Sequence, residues 1–205
     1  GVERSVAVWG AHGPEVRDRA EAAGAATALQ DPPRGTGDAV KCAREALDGF
    51  EGDAIVLYAD TPLIRPETAE AVFAALPQGA AVSVLGFEPA EPGAYGRLIE
   101  TADGALDAIV EARDATPEQL AVTLCNSGVL AADAKLLFDL LGEVTNENAK
   151  GEYYLTDVVA LARGRGLPAK AVRGDEAEVL GVNSRSDLAA AEAAFQARAR
   201  TDAMA

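Results

Sequence analysis

Two polar side chains that lie far apart in the sequence each follow an apolar stretch. Asp60 comes directly after the continuously apolar run Ala54–Tyr58, and Asn183 ends the stretch Val179–Asn183. Carboxylate and amide oxygens are ligands of hard divalent cations, and a carboxylate at a strand end is well placed to hold a cation that is bound to phosphates. Taken alone, Asp60 is equally suited to cap a turn, and Asn183 is more typical of a turn residue.

A glycine-containing segment, Gln30–Gly37 (QDPPRGTG), is the second candidate. Gly35, Thr36 and Gly37 let the backbone approach a ligand where a larger side chain would block it. The helix that is predicted to follow presents N–H groups to an anion or to the edge of a base. For these residues alone, an ordinary loop with a helix N-cap is the commoner explanation.

Four further segments carry polar residues: Tyr95–Leu98, Ile109–Ala115, Cys125–Gly128 and Asn148–Asp157. Each is a weak signal, because solvated rims of sheets have the same composition. Together they indicate a small-molecule site with an oxygen-rich lining. The single histidine, His12, is interpreted as a turn residue, and no nucleophilic Ser/His/Asp or Cys/His set can be assembled around it.

Strand and helix signals alternate along the chain and would position these residues. The predicted strands are Ser5–Trp9, Ala54–Tyr58, Ala81–Phe87, Gly96–Glu100, Leu106–Val110, Val122–Leu130 and Ala169–Val172, with a further short strand before Gln30. The predicted helices are Pro14–Ala23, Gly37–Phe50, Pro66–Leu76, Asp133–Leu141, Leu155–Arg163 and Asp187–Arg200. This order predicts an α/β fold with an open, mostly parallel sheet and helices on both faces, in which ligands bind beyond the carboxyl ends of the strands.

Charge and composition restrict the partners. With 18 Lys and Arg against 33 Asp and Glu, the net charge is −15, which argues against binding to nucleic acid or to an anionic membrane surface. No apolar run approaches the 18 or so residues of a membrane-spanning helix. Cys42 and Cys125 form neither a zinc motif nor a disulfide framework, so we expect a reducing compartment, the cytoplasm.

Taken in order, the motifs resemble the uridylyltransferase domain of the bifunctional N-acetylglucosamine-1-phosphate uridyltransferase/glucosamine-1-phosphate acetyltransferase family. They occur in the family order with near-family spacing over nearly the whole chain, and that combination is specific. The segments are Gly35–Gly37 with upstream Gln30, Tyr58–Asp60, Tyr95–Arg97, Ile109–Glu111, Asn126–Gly128, Gly151–Asp157 and Gly181–Asn183. The resemblance implies a Rossmann-like nucleotidyltransferase sheet.

The resemblance also implies an activity, namely uridylyl transfer from UTP to N-acetylglucosamine 1-phosphate. The products would be UDP-N-acetylglucosamine, a cell-wall precursor, and pyrophosphate. By the same resemblance, Asp60 and Asn183 would be catalytic and would hold Mg²⁺ against the phosphates. Uracil would be read by Gln30, Gly35 and Thr36. The remaining substrate-binding residues would be Tyr58 and the amino-sugar pocket Gly96, Glu111, Asn126, Tyr154 and Thr156.

The chain departs from the family pattern at both ends. The family's opening strand and glycine-rich phosphate loop have no counterpart before Val2, and its C-terminal β-helix of hexapeptide repeats is also absent. We therefore expect a nucleotidyltransferase domain at 1–186 without its first strand and phosphate loop, followed by a C-terminal helical arm at 187–205. Little activity of the 205 residues alone, no acetyl transfer, and a monomer instead of the family's trimer are further expectations.

Two alternatives stay open. Sugar nucleotidyltransferases share one architecture and differ in a few polar contacts, so the nucleotide or the sugar phosphate could differ from the family's. A domain without its phosphate loop could also bind nucleotide sugars without catalysis.

Overall fold

Helices and strands alternate throughout the computed structural model, which describes residues 1–10 and 13–204. The predicted turn at His12 lies outside these residues. The strands are β1 (Val6–Gly10), β2 (Ala26–Gln30), β3 (Asp53–Val56), β4 (Val82–Phe87), β5 (Arg97–Glu100), β6 (Leu106–Val110), β7 (Cys125–Asp133) and β8 (Ala169–Arg173). The helices are α1 (Pro14–Ala22), α2 (Thr36–Cys42), α3 (Pro66–Ala74), α4 (Pro117–Leu120), α5 (Ala134–Glu143), α6 (Asp157–Gly164) and α7 (Arg185–Met204).

The strands form two sheets. Six of them build one sheet in the order β6-β5-β7-β4-β8, with β3 also paired to β7, and β1 and β2 form a separate parallel pair. Strand β7 runs antiparallel to β3, β4 and β5, whereas β4 and β8 are parallel. The predicted α/β class is confirmed, and the large sheet is mixed. The apolar run at β3 indicated a strand covered on both faces, and such a run does not fix the direction of its partner.

Alternate residues of the central strands pack on opposite faces of the large sheet. Val82 and Val84 of β4 join the larger apolar cluster, which includes residues of α5 and α6. Leu85 and Phe87 join the smaller cluster on the other face, where Val72 of α3 packs. Helices therefore cover both faces of the large sheet. The two apolar clusters between the helices and the sheet hold its strands, and so the strand ends, in place.

The C-terminal helix α7 has one buried residue, Ala191. It is joined to the loop after β3 because the Arg198 guanidinium donates to the Leu63 carbonyl at 2.9 Å. No helix among residues 1–10 and 13–204 has the length and the apolar character needed to cross a lipid bilayer.

Candidate functional site

Residues 30–37, hereafter the glycine loop, connect β2 to α2. The Gln30 side-chain amide donates to the Gly35 carbonyl at 3.0 Å and to the Asp38 carboxylate at 2.9 Å. The second oxygen of Asp38 accepts from the Arg34 guanidinium at 2.9 Å, and Asp38 is buried. The buried carboxylate of Asp38 thus orients two side chains of the loop, Gln30 and Arg34. Gln30 is also bonded to Gly35, with which it was predicted to bind uracil.

A distant segment fixes the same loop through its backbone. The Tyr153 N–H donates to the Arg34 carbonyl at 2.8 Å, and the Gly37 N–H donates to the Tyr153 carbonyl at 2.8 Å. The Thr36 hydroxyl accepts the Leu155 N–H at 3.0 Å. The sequence predicted that N–H groups at the start of α2 face a ligand, and for Gly37 that prediction is wrong, because its N–H is already bonded within the protein.

The close approach of these two segments requires glycine at position 35. Its φ is +113°, a backbone conformation that residues with a Cβ rarely adopt. A Cβ built there would lie 2.6 Å from the Tyr153 carbonyl oxygen and 2.8 Å from the Tyr153 nitrogen. Both contacts are with backbone, so an added side chain would force the segments apart.

Asp60 and Asn183, hereafter the acid–amide edge, belong to loops that meet. The Val182 N–H donates to the Asp60 carbonyl at 2.7 Å. Both side chains are exposed. The backbone N–H of Asn183 is held by the Asp187 carboxylate of α7 at 3.1 Å. The structure therefore brings the two segments together and leaves their carboxylate and amide at the surface.

A second contact joins these two loops a few residues away. One Glu178 carboxylate oxygen accepts the Arg65 N–H at 3.0 Å and the Thr68 hydroxyl at 2.6 Å, at the start of α3. Arg65, the N-cap residue, makes no side-chain cap of its own, so Glu178 caps this helix from a remote segment. Sequence reasoning missed Glu178, since a cap contributed from 110 positions away leaves no local pattern.

The remaining candidates, hereafter the strand-end cluster, are Gly96, Glu111, Asn126, Tyr154 and Thr156. The first three lie where strands of the large sheet begin or end, and Tyr154 and Thr156 lie directly before α6. The Asn126 N–H donates to the Gly96 carbonyl at 2.8 Å. The Thr156 hydroxyl donates to the Glu111 carboxylate at 3.2 Å. Hydrogen bonds thus link four of the cluster's residues in two pairs.

Tyr154 contributes a hydroxyl that the protein does not satisfy. The residue is 7% exposed, and within the described part of the chain its hydroxyl has no hydrogen-bond partner. Burial raises the pKa of Tyr154, and the charges of Asp114, Glu111 and Glu152 raise it further, against a lowering by Arg113. A buried, unpaired hydroxyl beside carboxylates is suited to a polar ligand, because leaving it unpaired costs about 1–3 kcal/mol.

Residues of all three groups affect the pKa of Tyr58. Burial raises its pKa most, a hydrogen bond with the Thr36 side chain opposes that rise, and the charges of Glu111 and Asp60 add to it. Its ring packs on Gly128, where an added Cβ would lie 2.7 Å from the Tyr58 Cε2 atom. One tyrosine is therefore near the glycine loop, the strand-end cluster and the acid–amide edge.

The arrangement suits a ligand with several polar parts. The acid–amide edge offers a hard cation one carboxylate and one amide, and in the described ranges no three His, Cys, Asp or Glu side chains group as a metal site. A cation held there would take its other ligands from a bound molecule or from water. The glycine loop offers backbone atoms, and the strand-end cluster offers carboxylate, amide and hydroxyl groups to neutral donors and acceptors.

The chain is similar in sequence to curated bacterial proteins, each named "Bifunctional protein GlmU". The relative from Maricaulis maris is 65% identical and covers 100% of this chain. The relative from Hyphomonas neptunium is 53% identical over 95% of the chain, and the one from Rhodospirillum rubrum is 56% identical over 98%. The chain spans only 45%, 40% and 45% of these relatives' own lengths. No family profile matches the chain.

Solved structures share the fold. A nucleoside-diphosphate-sugar pyrophosphorylase from Vibrio cholerae aligns with a TM-score of 0.66 at 15% identity, over 90% of this chain and 78% of its own. A UDP-glucose pyrophosphorylase complexed with UDP-glucose aligns with a TM-score of 0.67 at 18% identity, over 95% and 81%. The family resemblance drawn from the motifs is confirmed by the sequence relatives, and the nucleotidyltransferase-like fold by these structures.

Proposed function

We propose that this chain, which is homologous over its whole length to a segment of the GlmU proteins, is a nucleotidyltransferase domain that transfers a uridylyl group from UTP to N-acetylglucosamine 1-phosphate. The observation that carries the proposal is the meeting of the Asp60 and Asn183 loops, joined by the 2.7 Å hydrogen bond from Val182 to Asp60. UDP-N-acetylglucosamine is a cell-wall precursor, so we place the activity in the cytoplasm, in precursor synthesis.

The reaction is a displacement at phosphorus. An oxygen of the sugar 1-phosphate attacks the α-phosphorus of UTP, the bond from that phosphorus to the bridging oxygen breaks, and pyrophosphate leaves. Such a transfer needs positioning and charge neutralisation and no protein nucleophile. That requirement agrees with a site whose candidates are carboxylates, amides, hydroxyls and backbone groups.

Each group of residues would take one part of this task. The glycine loop would bind the uracil through Gln30 and the backbone of Gly35 and Thr36. Gly35 and Asp38 hold Gln30 in place, and the Tyr153 segment holds the loop. The strand-end cluster would bind the amino sugar, with the Tyr154 hydroxyl supplying one of the contacts. Preformed contacts of this kind lower the entropy lost when two substrates are brought together.

The acid–amide edge would hold Mg²⁺ through the oxygens of Asp60 and Asn183. Bound there, the ion supplies the positive charge that neutralises the phosphates in a chain of net charge −15. The exposed position of both side chains supports this role, because a cation shared with a nucleotide must be reached from outside.

Calorimetry with UDP-N-acetylglucosamine and Mg²⁺ tests whether the chain binds the proposed product. We expect saturable binding that strengthens when Mg²⁺ is added. No detectable heat at millimolar ligand would reject the proposal.

A panel of nucleoside triphosphates and sugar 1-phosphates, followed by pyrophosphate release, tests the specificity. We expect uridine and N-acetylglucosamine to be preferred, and a preference for another pair would reject the specificity while keeping nucleotidyl transfer. The turnover of these 205 residues alone is expected to be slow. Binding with no turnover at all in any pairing would instead favour a non-catalytic nucleotide-sugar binding domain.

A further inference from the structure

Arg97, the first residue of β5, is a buried cation. It is 3% exposed, its guanidinium donates to four backbone carbonyls, and it also interacts with the thiol of Cys125, its partner on β7. Three of these carbonyls belong to the loop before β5 and one to the end of α4: Pro92 at 3.3 Å, Gly93 at 3.2 Å, Tyr95, and Leu120 at 3.4 Å. Burying an ion is costly unless its surroundings compensate it, and here the compensation comes from carbonyl dipoles.

No carboxylate of residues 1–10 and 13–204 lies within 4.0 Å of this guanidinium. Arg173, the other arginine in the strands of this sheet, is paired with Glu88 and Glu100. A buried arginine that gathers carbonyls gains little stability over an apolar residue of its size. Its specific effect is to fix the backbone that supplies those carbonyls, because the planar fork requires each of them at a set position.

The backbone that Arg97 gathers leads directly into the strand-end cluster. Gly96 follows the three loop carbonyls, and its own carbonyl accepts the Asn126 N–H at 2.8 Å. The Tyr95 ring packs edge to face on Phe87, with ring centroids 4.9 Å apart. Residues 92–96 are therefore held at two points. The Arg97 side chain binds three of their carbonyls, and the Asn126 N–H binds the carbonyl of Gly96.

The glycine loop does not share this support. Its hydrogen bonds come from Asp38, Tyr153 and Leu155, and none of the Arg97 hydrogen bonds involves residues 30–37. A substitution of Arg97 should therefore weaken the binding of the ligand part that contacts the strand-end cluster. It should leave the binding of the part that contacts the glycine loop unchanged.

We propose that Arg97 is a positioning residue that orders residues 92–96 to bind the sugar part of a nucleotide sugar. The assignment of the sugar to this cluster rests on the proposed function. The ordering of the loop by Arg97 does not.

The test uses Arg97→Lys and Arg97→Met. Lysine keeps the charge and the aliphatic stem but lacks the planar fork, and methionine removes the charge. The matched controls are Arg173→Lys and Arg173→Met, because Arg173 is a strand residue of the same sheet with a side chain 56% exposed. Calorimetry gives the affinity of each variant for UDP and for UDP-N-acetylglucosamine, and amide hydrogen exchange reports on residues 93–96 and on the Asn126 N–H.

For Arg97→Met we expect at least a tenfold loss of affinity for UDP-N-acetylglucosamine and less than a twofold change for UDP. Arg97→Lys should be intermediate, and the Arg173 variants should match the unaltered protein. Exchange of residues 93–96 and of the Asn126 N–H should be faster in the Arg97 variants alone. Unchanged nucleotide-sugar affinity, or an equal loss for UDP, would overturn the sugar-positioning role.

Failure of the proposed function gives a different result. If the unaltered protein binds neither ligand, the assignment of the sugar is rejected, and hydrogen exchange alone decides the ordering by Arg97. Exchange no faster in Arg97→Lys than in Arg173→Lys would then overturn the ordering as well. If Arg97→Met does not fold, Arg97→Lys supplies both readouts.

Discussion

The glycine loop and the acid–amide edge are built in opposite ways. In the glycine loop, Gly35 packs against the backbone of Tyr153 without room for a methyl group, and side chains as well as backbone are hydrogen-bonded within the protein. At the acid–amide edge, the backbone of Asp60 is bonded to Val182 while the functional side chains are exposed.

This difference separates two ways of preparing a site. A loop that recognises the shape of a ligand must hold its backbone still before the ligand arrives, since ordering it on binding would reduce the affinity. Ligands of a cation need only be near each other, because the ion and the phosphates complete the geometry. Substitutions in the glycine loop should therefore reduce stability, and substitutions at the acid–amide edge should reduce binding.

Gly35→Ala should have the largest effect. The added Cβ meets the Tyr153 backbone and the positive φ is unfavourable for alanine, so we expect a loss of about 3 kcal/mol in the free energy of unfolding by urea. Gly24→Ala is the control, because Gly24 also has a positive φ and no atom within 4 Å of an added Cβ. Its expected loss is about 1 kcal/mol. Equal losses in the two variants would show that the packing against Tyr153 is not important.

Asp60→Asn should give the reverse pattern. Because the side chain is exposed, we expect the free energy of unfolding to change by less than about 0.5 kcal/mol. The gain in UDP-N-acetylglucosamine affinity on adding Mg²⁺, measured by calorimetry, should fall about tenfold, which is about 1.4 kcal/mol. Asp103→Asn, in the turn between β5 and β6, should leave it unchanged. A Mg²⁺-dependent gain that persists in Asp60→Asn would remove Asp60 from the metal site.

Glu178→Gln tests whether the acid–amide edge depends on a partly buried contact behind it. The carboxylate caps α3 through Arg65 and Thr68, and losing its charge should cost about 1 kcal/mol in urea unfolding. The Mg²⁺-dependent affinity should weaken with it, because the same contact joins the loops that carry Asp60 and Asn183. Glu176→Gln is the control, as Glu176 is an exposed neighbour on the same turn. If only stability changed, the edge would be shown to keep its geometry without this contact.

Asp157→Asn should have the smallest effect, and that effect should depend on pH. Burial raises the pKa of Asp157, and the charges of Glu111 and Asp114 raise it further. A raised pKa in the folded state means that ionised Asp157 lowers stability, so the unaltered protein should lose stability relative to the variant as pH rises from the ordinary aspartate range through the raised value.

The expected change between pH 3 and pH 7 is about 0.5 kcal/mol, the scale of partly solvated charge interactions. Urea unfolding at both pH values measures it, with Asp139→Asn on the exposed side of α5 as the control. If the difference in unfolding free energy between Asp157→Asn and the unaltered protein stayed constant with pH, ionised Asp157 would not destabilise the fold.

Local sequence patterns predicted which segments are helices or strands better than they predicted the residues at which these elements begin and end. The apolar spacing in Gly37–Phe50 predicted one helix, but α2 ends at Cys42 and only a 3₁₀ turn, Glu45–Leu47, continues the pattern. Periods of 3.6 and 3.0 residues look alike over one or two turns, so the sequence does not show where the helix stops. Strand β7 likewise begins three residues later than predicted and extends to Asp133, since its limits are set by pairing with β3 and β4.

The candidate site divides in the same way. Asp60 and the Gly35–Gly37 segment could be selected from the sequence because apolar runs and glycines mark strand ends and close approaches. The contacts that support the site could not be predicted. Thr36 and Leu155 are 119 positions apart, and Glu178 and Thr68 are 110 apart. Arg97 belongs to the motif Tyr95–Arg97, but the sequence assigned it no role of its own.

The sequence by itself therefore determined the α/β class and the identity of the polar groups, because periodicity and residue type are local properties of a chain. Only the tertiary structure decided three other features. Strand β7 is antiparallel to its neighbours, the Tyr153 carbonyl accepts the N–H of Gly37, and the buried Arg97 guanidinium donates to backbone carbonyls. These are pairings between distant residues, and a hydrogen bond or a packed contact is specified by where the folded backbone places both partners.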